Sequence, residues 1–468
     1  MVRADAGRHK DATVRRVVYV VERIGSVAPR MPPMIDTSFA PAASSEDAAA
    51  KASPTIAVDR LLAWEWLFLH FVLVSASYAL ALQPQILSLS WYLVYLLSLG
   101  LFLLRYGAFL GALWIAAPLL LWPALAGLSY FWSDVPGQTL RTAVQLGMTV
   151  CIGAYLGSRF SLFDLTRALF LVLTLAALVS LAMILAKVTP AYDHNGVARG
   201  LFPHKNVLGG NMVLLLTCCL LLFASGWRRF SVTLAAGIGL ALIAFSQSST
   251  AVVMTIGLCA LAPILLSRGA PAPLRLFAYI VGLLIAGMAA WFLLAYDLDA
   301  IGMALEALGK ERTLTGRSVL WEFAIAEIEV RPWLGGGFDA FWNGSDGSPG
   351  RYLQYVIQHD VMNFHNSYLD VTVQLGFVGL ALLIGFLLLF AWRALALLRF
   401  DGCAIATLPA FFLAFVVCYS LSEYALFRQH SLIQVLLGAL YVSTALALPA
   451  ERPGPSRRQT STASWAET

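Results

Sequence analysis

Three polar stretches interrupt an otherwise apolar chain and hold the residues best suited to chemistry. The first runs from Asn195 to Asn206 and contains Arg199 and Lys205. A helix that starts there has unpaired N–H groups beside two cations, which makes it a natural place for a phosphate group. A polar turn that only connects two helices is the alternative.

The second stretch runs from Thr313 to Pro332. Its apolar residues recur at near-helical spacing and predict an amphipathic helix on the outer membrane surface or over the helix bundle. Arg317 lies in the first turn of that helix, where the helix dipole prefers acidic groups. An external anion explains this arginine better than helix stability does, and a simple surface arginine is the alternative.

The third stretch runs from His359 to Asp370 and leads into an apolar helix. His365 falls at the predicted boundary of water and membrane, where an imidazole is both oriented and able to exchange protons. We expect Asn366, Asp370 and, from the first stretch, Asn206 to support it. A histidine that only hydrogen-bonds at a helix start is the alternative.

The elements that position these stretches are predicted to be membrane helices. The 468-residue chain is 59% hydrophobic and 12% charged, with a mean hydropathy of +0.76, so lipid must be its main solvent. About twelve apolar runs are long enough to span a bilayer. They cover residues 61–82, 86–104, 107–129, 140–158, 164–186, 206–225, 231–246, 250–267, 275–296, 367–392, 404–422 and 429–447.

Basic residues near the ends of these runs predict the orientation, because Lys and Arg favour cytoplasmic loops. With both termini inside, Arg105, Arg159 and Arg393 are cytoplasmic. The predicted organisation of the chain comprises a disordered cytoplasmic extension (1–57), helices 1–9 (58–296), a large periplasmic loop (297–366), helices 10–12 (367–447) and a cytoplasmic tail (448–468).

Several basic residues fall on the side that this rule keeps free of them. Singly, each reads as a solvated or snorkelling side chain. As a group facing one compartment, they indicate an anion-binding surface. They include Arg141, Lys187, Arg199, Lys205, Arg317 and Arg428.

Other functions find little support. The net charge of +5 comes largely from arginines at helix ends, so nucleic acid is not an expected partner. Ionisable groups inside predicted helices are few, namely Glu65 and His70, with Glu423 at an external end, whereas a proton relay needs more. No Asp-x-Asp motif or dense Asp/Glu/His cluster marks a metal site, and no cofactor is expected.

The polar stretches resemble the O-antigen ligase and O-antigen polymerase superfamily, in particular its exopolysaccharide-production branch. The resemblance covers residues 100–445. The runs that carry it are Trp132-Ser-Asp-Val-Pro-Gly-Gln-Thr-Leu-Arg141, Gly200-Leu-Phe-Pro-His-Lys-Asn206, Ser246-Gln-Ser-Ser249, Thr315-Gly-Arg317, Pro332-Trp-Leu-Gly-Gly-Gly-Phe338 and His365-Asn-Ser-Tyr-Leu369.

The resemblance implies an inner-membrane glycosyltransferase with a glycosyltransferase-C-like, all-α fold. Such an enzyme moves a glycan from an undecaprenyl-pyrophosphate donor to an acceptor polysaccharide or lipid on the periplasmic face. Arg199, Arg317 and His365 match the family's two functional arginines and its histidine. Arg141, Lys205 and Arg428 match less specific positions and are candidate donor ligands. Other polysaccharide-export components are further candidate partners.

The chemistry of the donor agrees with arginines as its ligands. A pyrophosphate is a good leaving group whose negative charge must be neutralised, and guanidinium groups supply paired hydrogen bonds to phosphate oxygens. Metal is then not required, and His365 is the expected general base of an inverting displacement. A flippase for lipid-linked glycan and a non-catalytic export scaffold are the alternatives. The choice between polymerase and ligase depends on the acceptor, and the resemblance favours the polymerase.

Overall fold

The computed structural model describes residues 63–295, 317–344, 348–357 and 361–449. The predicted extension, most of the tail and part of the periplasmic loop, including His359, therefore lie outside the described residues. The described part is all-helical, which confirms the predicted fold class. Its α-helices are α1 (Ala63–Ala76), α2 (Pro84–Leu104), α3 (Tyr106–Ile115), α4 (Ala117–Leu128), α5 (Pro136–Arg159), α6 (Leu162–Leu185), α7 (Lys205–Ala224), α8 (Arg229–Ser246), α9 (Ser249–Leu266), α10 (Ala272–Ala295), α11 (Arg317–Val330), α12 (Pro349–Ile357), α13 (Ser367–Phe400), α14 (Leu408–Tyr419) and α15 (Leu432–Ala447).

Each of the twelve apolar runs predicted from the sequence contains a helix, and the third run is divided into α3 and α4. By length and composition, six helices of the described part can cross a membrane, namely α2, α6, α7, α8, α9 and α13. The pair α3 and α4 would make a seventh span, bent by 82°. Shorter apolar helices form most of the remainder, so twelve spans stay a prediction.

Helices α5 and α15 pack backbone against backbone. A Cβ atom on Gly153 would lie 2.5 Å from the Val435 carbonyl oxygen, and one on Gly157 would collide with the carbonyl of Ala439. Small residues spaced by four let membrane helices approach this closely, so that van der Waals contacts replace the missing hydrophobic driving force. The contact fixes α5, which carries polar residues at both of its ends.

A buried ion network ties the first helices together at the start of α1. The carboxylate of Glu65 is fully buried and accepts hydrogen bonds of 2.8 Å each from the Tyr155 hydroxyl and the Arg159 Nε. Arg105 Nη2 lies 3.7 Å from the same carboxylate. Glu65 therefore does not snorkel to the surface, and its paired charge has a structural role in joining α1, α2 and α5.

Helix α13 is broken at Gly376, whose φ of 63° and ψ of −167° are non-helical. The segment from Pro332 to Gly337 fills the break. Gly336 and Gly337 donate their N–H groups to the carbonyls of Val373 and Gln374, while Phe377 donates to the carbonyl of Pro332. Another segment thus supplies hydrogen-bond partners to the backbone groups that the break leaves without helical ones. A broken membrane helix needs such partners, because lipid offers none.

The described part of the predicted periplasmic loop has its own small core. Helices α11 and α12 cover the first turns of α13, and the buried side chains between them are Leu320, Ala324, Phe341, Trp342, Leu353, Phe364 and Val373. Trp321 of α11 donates its indole N–H to the carbonyl of Phe364 at 3.0 Å. This packing fixes the backbone that immediately precedes His365.

Candidate functional site

The entry to α7 supplies the first part of the site. His204 caps this helix, because its Nδ1 accepts the N–H of Asn206 at 3.2 Å. Asn206 is the second residue of the helix, and its carbonyl accepts the Tyr419 hydroxyl at 3.1 Å. The start of α7 is therefore joined to the end of α14.

The side chain of Asn206 connects two further segments. Its Nδ2 donates to Oε1 of Glu423 at 2.6 Å, and its Oδ1 accepts the Ser248 hydroxyl at 2.9 Å. Ser248 is the N-cap residue of α9. Both ends of the amide are thus used, which fixes its orientation and, through it, the Glu423 carboxylate.

His365 faces the other oxygen of that carboxylate. Its Nδ1 lies 3.5 Å from Glu423 Oε2, an ion-pair separation that is longer than a good hydrogen bond. The His365 side chain is 27% exposed and that of Glu423 is 12% exposed, so a substrate can reach the imidazole more easily than the carboxylate. The pair combines a proton acceptor with a group that orients it.

The backbone of His365 is held in a conformation that few residues adopt. Its φ is 51°, in the left-handed region, and its N–H donates to Oδ1 of Asn363 at 2.9 Å. Left-handed backbone in a residue other than glycine has a cost, and such positions cluster at functional sites. The surrounding contacts therefore determine where the imidazole lies.

Asn366 and Ser367 attach the start of α13 to the link that carries Glu423. Asn366 caps the helix by accepting the N–H groups of Tyr368 and Leu369. The Ser367 hydroxyl donates to the carbonyl of Glu423 at 2.9 Å and accepts the N–H of Ala425 at 2.8 Å. The sequence had identified Asn366 as a supporting residue but had missed Ser367, whose importance arises only from this long-range contact.

Asp370 supports the site from within the protein. It is 1% exposed, and its Oδ2 accepts the N–H of Phe364 at 3.0 Å. This carboxylate holds the turn before His365 and does not reach solvent. It is therefore placed to position the histidine rather than to take a proton from a substrate.

Arg199 and Lys205 lie on the approach to α7. Arg199 is half-buried and donates its Nε to the Pro190 carbonyl at 3.2 Å and its Nη1 to the Pro203 carbonyl at 3.1 Å. It therefore braces the loop that ends at the His204 cap. Lys205 is the first residue of α7 and is also half-buried.

Arg317 is the first residue of α11, so the predicted helix is present with the arginine in its first turn. Its side chain lies outside the described part of the structure. One turn further, Trp321 contacts the carbonyl of Phe364. The start of α11 is accordingly anchored beside the backbone of His365.

The charges of Arg141 and Arg428 act on a second carboxylate, that of Asp339. Arg141 Nη2 donates to Gln138 at 2.6 Å, and Gln138 Nε2 donates to Oδ2 of Asp339 at 2.8 Å. Burial raises the pKa of Asp339, whereas the Gln138 hydrogen bond and the charges of Arg141 and Arg428 act in the opposite direction. Arg141 is exposed, and its guanidinium is hydrogen-bonded to a residue of its own helix.

Glu423 links the two helix starts, because it contacts Asn206 of α7 and His365 before α13. Partial burial lowers the pKa of His204, the Glu423 carboxylate raises it, and His365 and Lys205 lower it further. The structure thus brings together, from the predicted residues, His365, Asn366, Asp370, Asn206 and Lys205. It adds Glu423, which the sequence had identified only as an ionisable residue at a helix end.

Fold and site together define an all-α, multi-pass membrane protein whose polar groups converge at one end of the helix bundle. The sequence profile of the O-antigen ligase family, Wzy_C, matches residues 212–384, a range that includes Arg317 and His365. The exopolysaccharide production protein ExoQ of Rhizobium meliloti (strain 1021) is 30% identical over 329 residues, which cover 67% of this chain and 73% of ExoQ.

The chain belongs to the O-antigen ligase and polymerase superfamily. It is therefore a membrane enzyme of polysaccharide biosynthesis, as the polar stretches had indicated.

Proposed function

We propose that the chain transfers a glycan from an undecaprenyl-pyrophosphate donor to an acceptor glycan on the periplasmic face of the inner membrane. The observation that carries this proposal is the pairing of His365 with Glu423, held by Asn206, at the starts of α7 and α13. A partly exposed imidazole with an oriented carboxylate behind it is suited to remove a proton from a sugar hydroxyl.

His365 acts as the general base. It takes the proton of the acceptor hydroxyl while that oxygen bonds to the anomeric carbon of the donor sugar. The bond from that carbon to the pyrophosphate oxygen breaks, and its electron pair leaves with the pyrophosphate. Glu423 lies close enough to stabilise the imidazolium that forms. A single displacement of this kind inverts the anomeric configuration.

Cationic side chains neutralise the leaving pyrophosphate. Arg199 and Lys205 are assigned to this role because they lie next to the His204 cap. Arg317 is assigned to it because Trp321, one turn further along its helix, donates to the carbonyl of Phe364, the residue before His365. Guanidinium groups bind phosphate oxygens through paired, charge-assisted hydrogen bonds, so charge is balanced without a metal ion. Among the described residues, His, Cys, Asp and Glu do not form a group of three that could hold a metal.

Polymerisation of an exopolysaccharide is the form of the reaction that we favour, because the relative ExoQ is an exopolysaccharide production protein. Ligation of the glycan to a lipid uses the same donor chemistry with another acceptor. The flippase alternative is less well supported, since the clustered polar groups lie at helix starts and not at the middle of the helices.

The decisive experiment reconstitutes the purified protein in vesicles with lipid-linked repeat units. Growth of the glycan chain, with release of undecaprenyl pyrophosphate, is the expected result. Movement of the lipid-linked glycan across the vesicle without a new glycosidic bond would establish the flippase instead. Transfer to a lipid acceptor alone would identify a ligase.

A further inference from the structure

The turn between α8 and α9 contains the run Ser246-Gln-Ser-Ser249, to which the proposed reaction assigns no role. Gln247 adopts a left-handed backbone conformation with a φ of 48°, and the Ser246 hydroxyl accepts the N–H of Ser248 at 3.3 Å. Ser248 itself is 1% exposed. The turn therefore holds one buried hydroxyl in a fixed place at the start of α9.

Close packing of α7 against α9 brings this hydroxyl to Asn206. A Cβ atom on Gly209 of α7 would lie 2.5 Å from the Cβ of Ala251 and 3.3 Å from Ser248 Oγ, so a larger residue at position 209 would push the two helices apart. Asn206 and Gly209 are three positions apart on α7 and share one face of the helix. Ser248 Oγ consequently lies 2.9 Å from Asn206 Oδ1.

The hydroxyl proton of Ser248 is directed at Asn206. The hydroxyl oxygen accepts the N–H of Ala251 at 3.3 Å as the cap of α9, while its proton is donated to Asn206 Oδ1. The NH₂ group of the amide is then left for Glu423 Oε1, at 2.6 Å. Because an ionised carboxylate only accepts hydrogen bonds, the direction of this chain of bonds matches a negatively charged Glu423.

The side-chain amide of Asn206 has two orientations of similar shape, and only one of them suits the site. The reversed amide would set its oxygen against Glu423 Oε1, and two oxygens approach to 2.6 Å only with a proton between them. It would also turn the NH₂ group toward Ser248, whose proton would lose its acceptor. The Ser248 hydroxyl therefore favours the orientation that holds an ionised Glu423 beside His365.

We propose that Ser248 is a positioning residue of the reaction, which acts on His365 through Asn206 and Glu423. The proposal rests on the proposed function. It extends the functional site to the turn between α8 and α9. The competing role is that of a helix cap alone, in which Ser248 stabilises the start of α9 and has no effect on the imidazole.

Two replacements of Ser248 separate these roles. Ser248→Ala removes both the cap and the bond to Asn206, whereas Ser248→Gly removes the bond but keeps most of the stability of the cap, because glycine is a favourable N-cap residue. Ser161→Ala is the matched control, since Ser161 is an exposed N-cap residue that accepts the N–H of Asp164 at the start of α6. Melting temperatures show whether each variant is folded.

We expect both Ser248 variants to lose about 3- to 10-fold in kcat, as the loss of one hydrogen bond implies, with little change in KM for the lipid-linked donor. Ser161→Ala should keep the kcat of the parent. The replacements are repeated in Glu423→Gln, where the charge that the chain of bonds positions is already absent. There Ser248→Ala should cost less than about twofold, because the effects of residues that act through one another are not additive. Ser248→Gly takes its place if Ser248→Ala does not fold.

A second measurement needs no turnover. Diethyl pyrocarbonate acylates an unprotonated imidazole nitrogen, and mass spectrometry of the digested protein gives the rate at each histidine. His194 is exposed and serves as the internal reference. An imidazole with an oriented carboxylate behind it is the stronger nucleophile, so Ser248→Gly and Glu423→Gln should both slow the reaction at His365 relative to His194.

Folded Ser248 variants with the kcat of the parent, or with the parental rate of acylation at His365, would overturn the proposal. A loss in Ser248→Ala that is fully retained in the Glu423→Gln background would also overturn it, because the hydroxyl would then act only as the cap of α9. A parent protein without transfer activity, in which acylation of His365 still depends on Ser248, would instead refute the proposed function and leave the coupling of Ser248 to His365 standing.

Discussion

Asn206 and Glu423 stand 217 positions apart in the chain, yet a hydrogen bond of 2.6 Å joins their side chains. This bond connects the first turn of α7 to the link between α14 and α15. It orients Glu423 so that the second oxygen of the carboxylate faces His365. The proposed chemistry therefore depends on two segments that have no local relation in the sequence.

Replacing His365 tests the proposed general base. Because general-base catalysis contributes about 10²- to 10⁴-fold, His365→Ala should lose roughly that much turnover. Glu423→Gln keeps an oxygen that can accept from Asn206 but removes the charge behind the imidazole, so it should lose about 10- to 100-fold. Turnover with lipid-linked repeat units, donor affinity and melting temperature are measured on the same preparations.

A purely structural role for His365 predicts other results. In that case His365→Ala would be poorly folded, or nearly as active as the parent. A stable variant with near-normal turnover, or a product that retains the anomeric configuration, removes His365 from the proposed role. Asp370 would not be a ready replacement, since its carboxylate is buried and bonded to the Phe364 N–H.

Removing divalent metal ions should leave turnover of the purified protein unchanged. The reason is that guanidinium and ammonium groups are assigned to balance the charge of the leaving pyrophosphate. The measurement compares turnover before and after incubation with a chelator, with the protein's melting temperature as the control for integrity. Activity that disappears and returns with magnesium or manganese contradicts the assignment.

Local patterns in the sequence predicted the helices well, because an apolar run of spanning length needs no distant partner to be helical. The helix that contains Arg317 and the separation of α8 from α9 follow from such patterns. The break in α13 does not. Gly376 is tolerated there only because the segment from Pro332 to Gly337 supplies the hydrogen bonds that the helix lacks.

Local patterns in the sequence also predicted part of the candidate site. His365 and Asn206 stand out as polar residues at the starts of apolar helices. Glu423 was visible as an ionisable group near a helix end, but its partners come from segments far away in sequence. The difference between Arg199, which bonds to its own loop, and Arg428, which faces a cavity, is a property of tertiary packing alone.

The orientation of the chain can be tested with single cysteines at Ser345 and Ser456, which lie outside the described residues. The asymmetry of Lys and Arg predicts that a cysteine at position 345 reacts with an impermeant reagent from the periplasmic side and one at position 456 only from the cytoplasmic side. A variant without the six native cysteines provides the background, since Cys259, Cys403 and Cys418 are exposed. The reverse labelling pattern would place His365 and Glu423 on the cytoplasmic face.

Arg199 and Arg317 should not tolerate replacement by lysine, although lysine keeps the charge. Arg199 donates from two different nitrogens to the carbonyls of Pro190 and Pro203, which a single ammonium group cannot reproduce. We expect each Lys variant to lose about 10- to 100-fold in turnover, since hydrogen bonds to charged groups contribute about 1.5 to 3 kcal/mol. The exposed Arg351→Lys is the control, and wild-type turnover of both variants would show that the two arginines only set a positive potential.

The cap of α7 makes the site sensitive to acid. His204 accepts the N–H of Asn206 only while its Nδ1 is unprotonated, and partial burial lowers the pKa of this histidine below 6.5. As the pH falls, the unfolded chain therefore binds a proton at this histidine before the folded protein does. The contribution of His204 to the free energy of unfolding is fully present above about pH 6.5, and it falls as the pH drops toward the lower pKa of His204 in the folded protein. His204→Asn keeps a side-chain acceptor at the cap without a titrating group. His204→Ala removes the acceptor, at a cost of about 1 kcal/mol while His204 of the parent is neutral. We expect the melting temperature of the parent to decline more steeply between pH 7 and pH 5 than that of His204→Asn, with turnover following the same order. Parallel pH profiles for the parent and His204→Asn would mean that protonation of His204 does not control the start of α7.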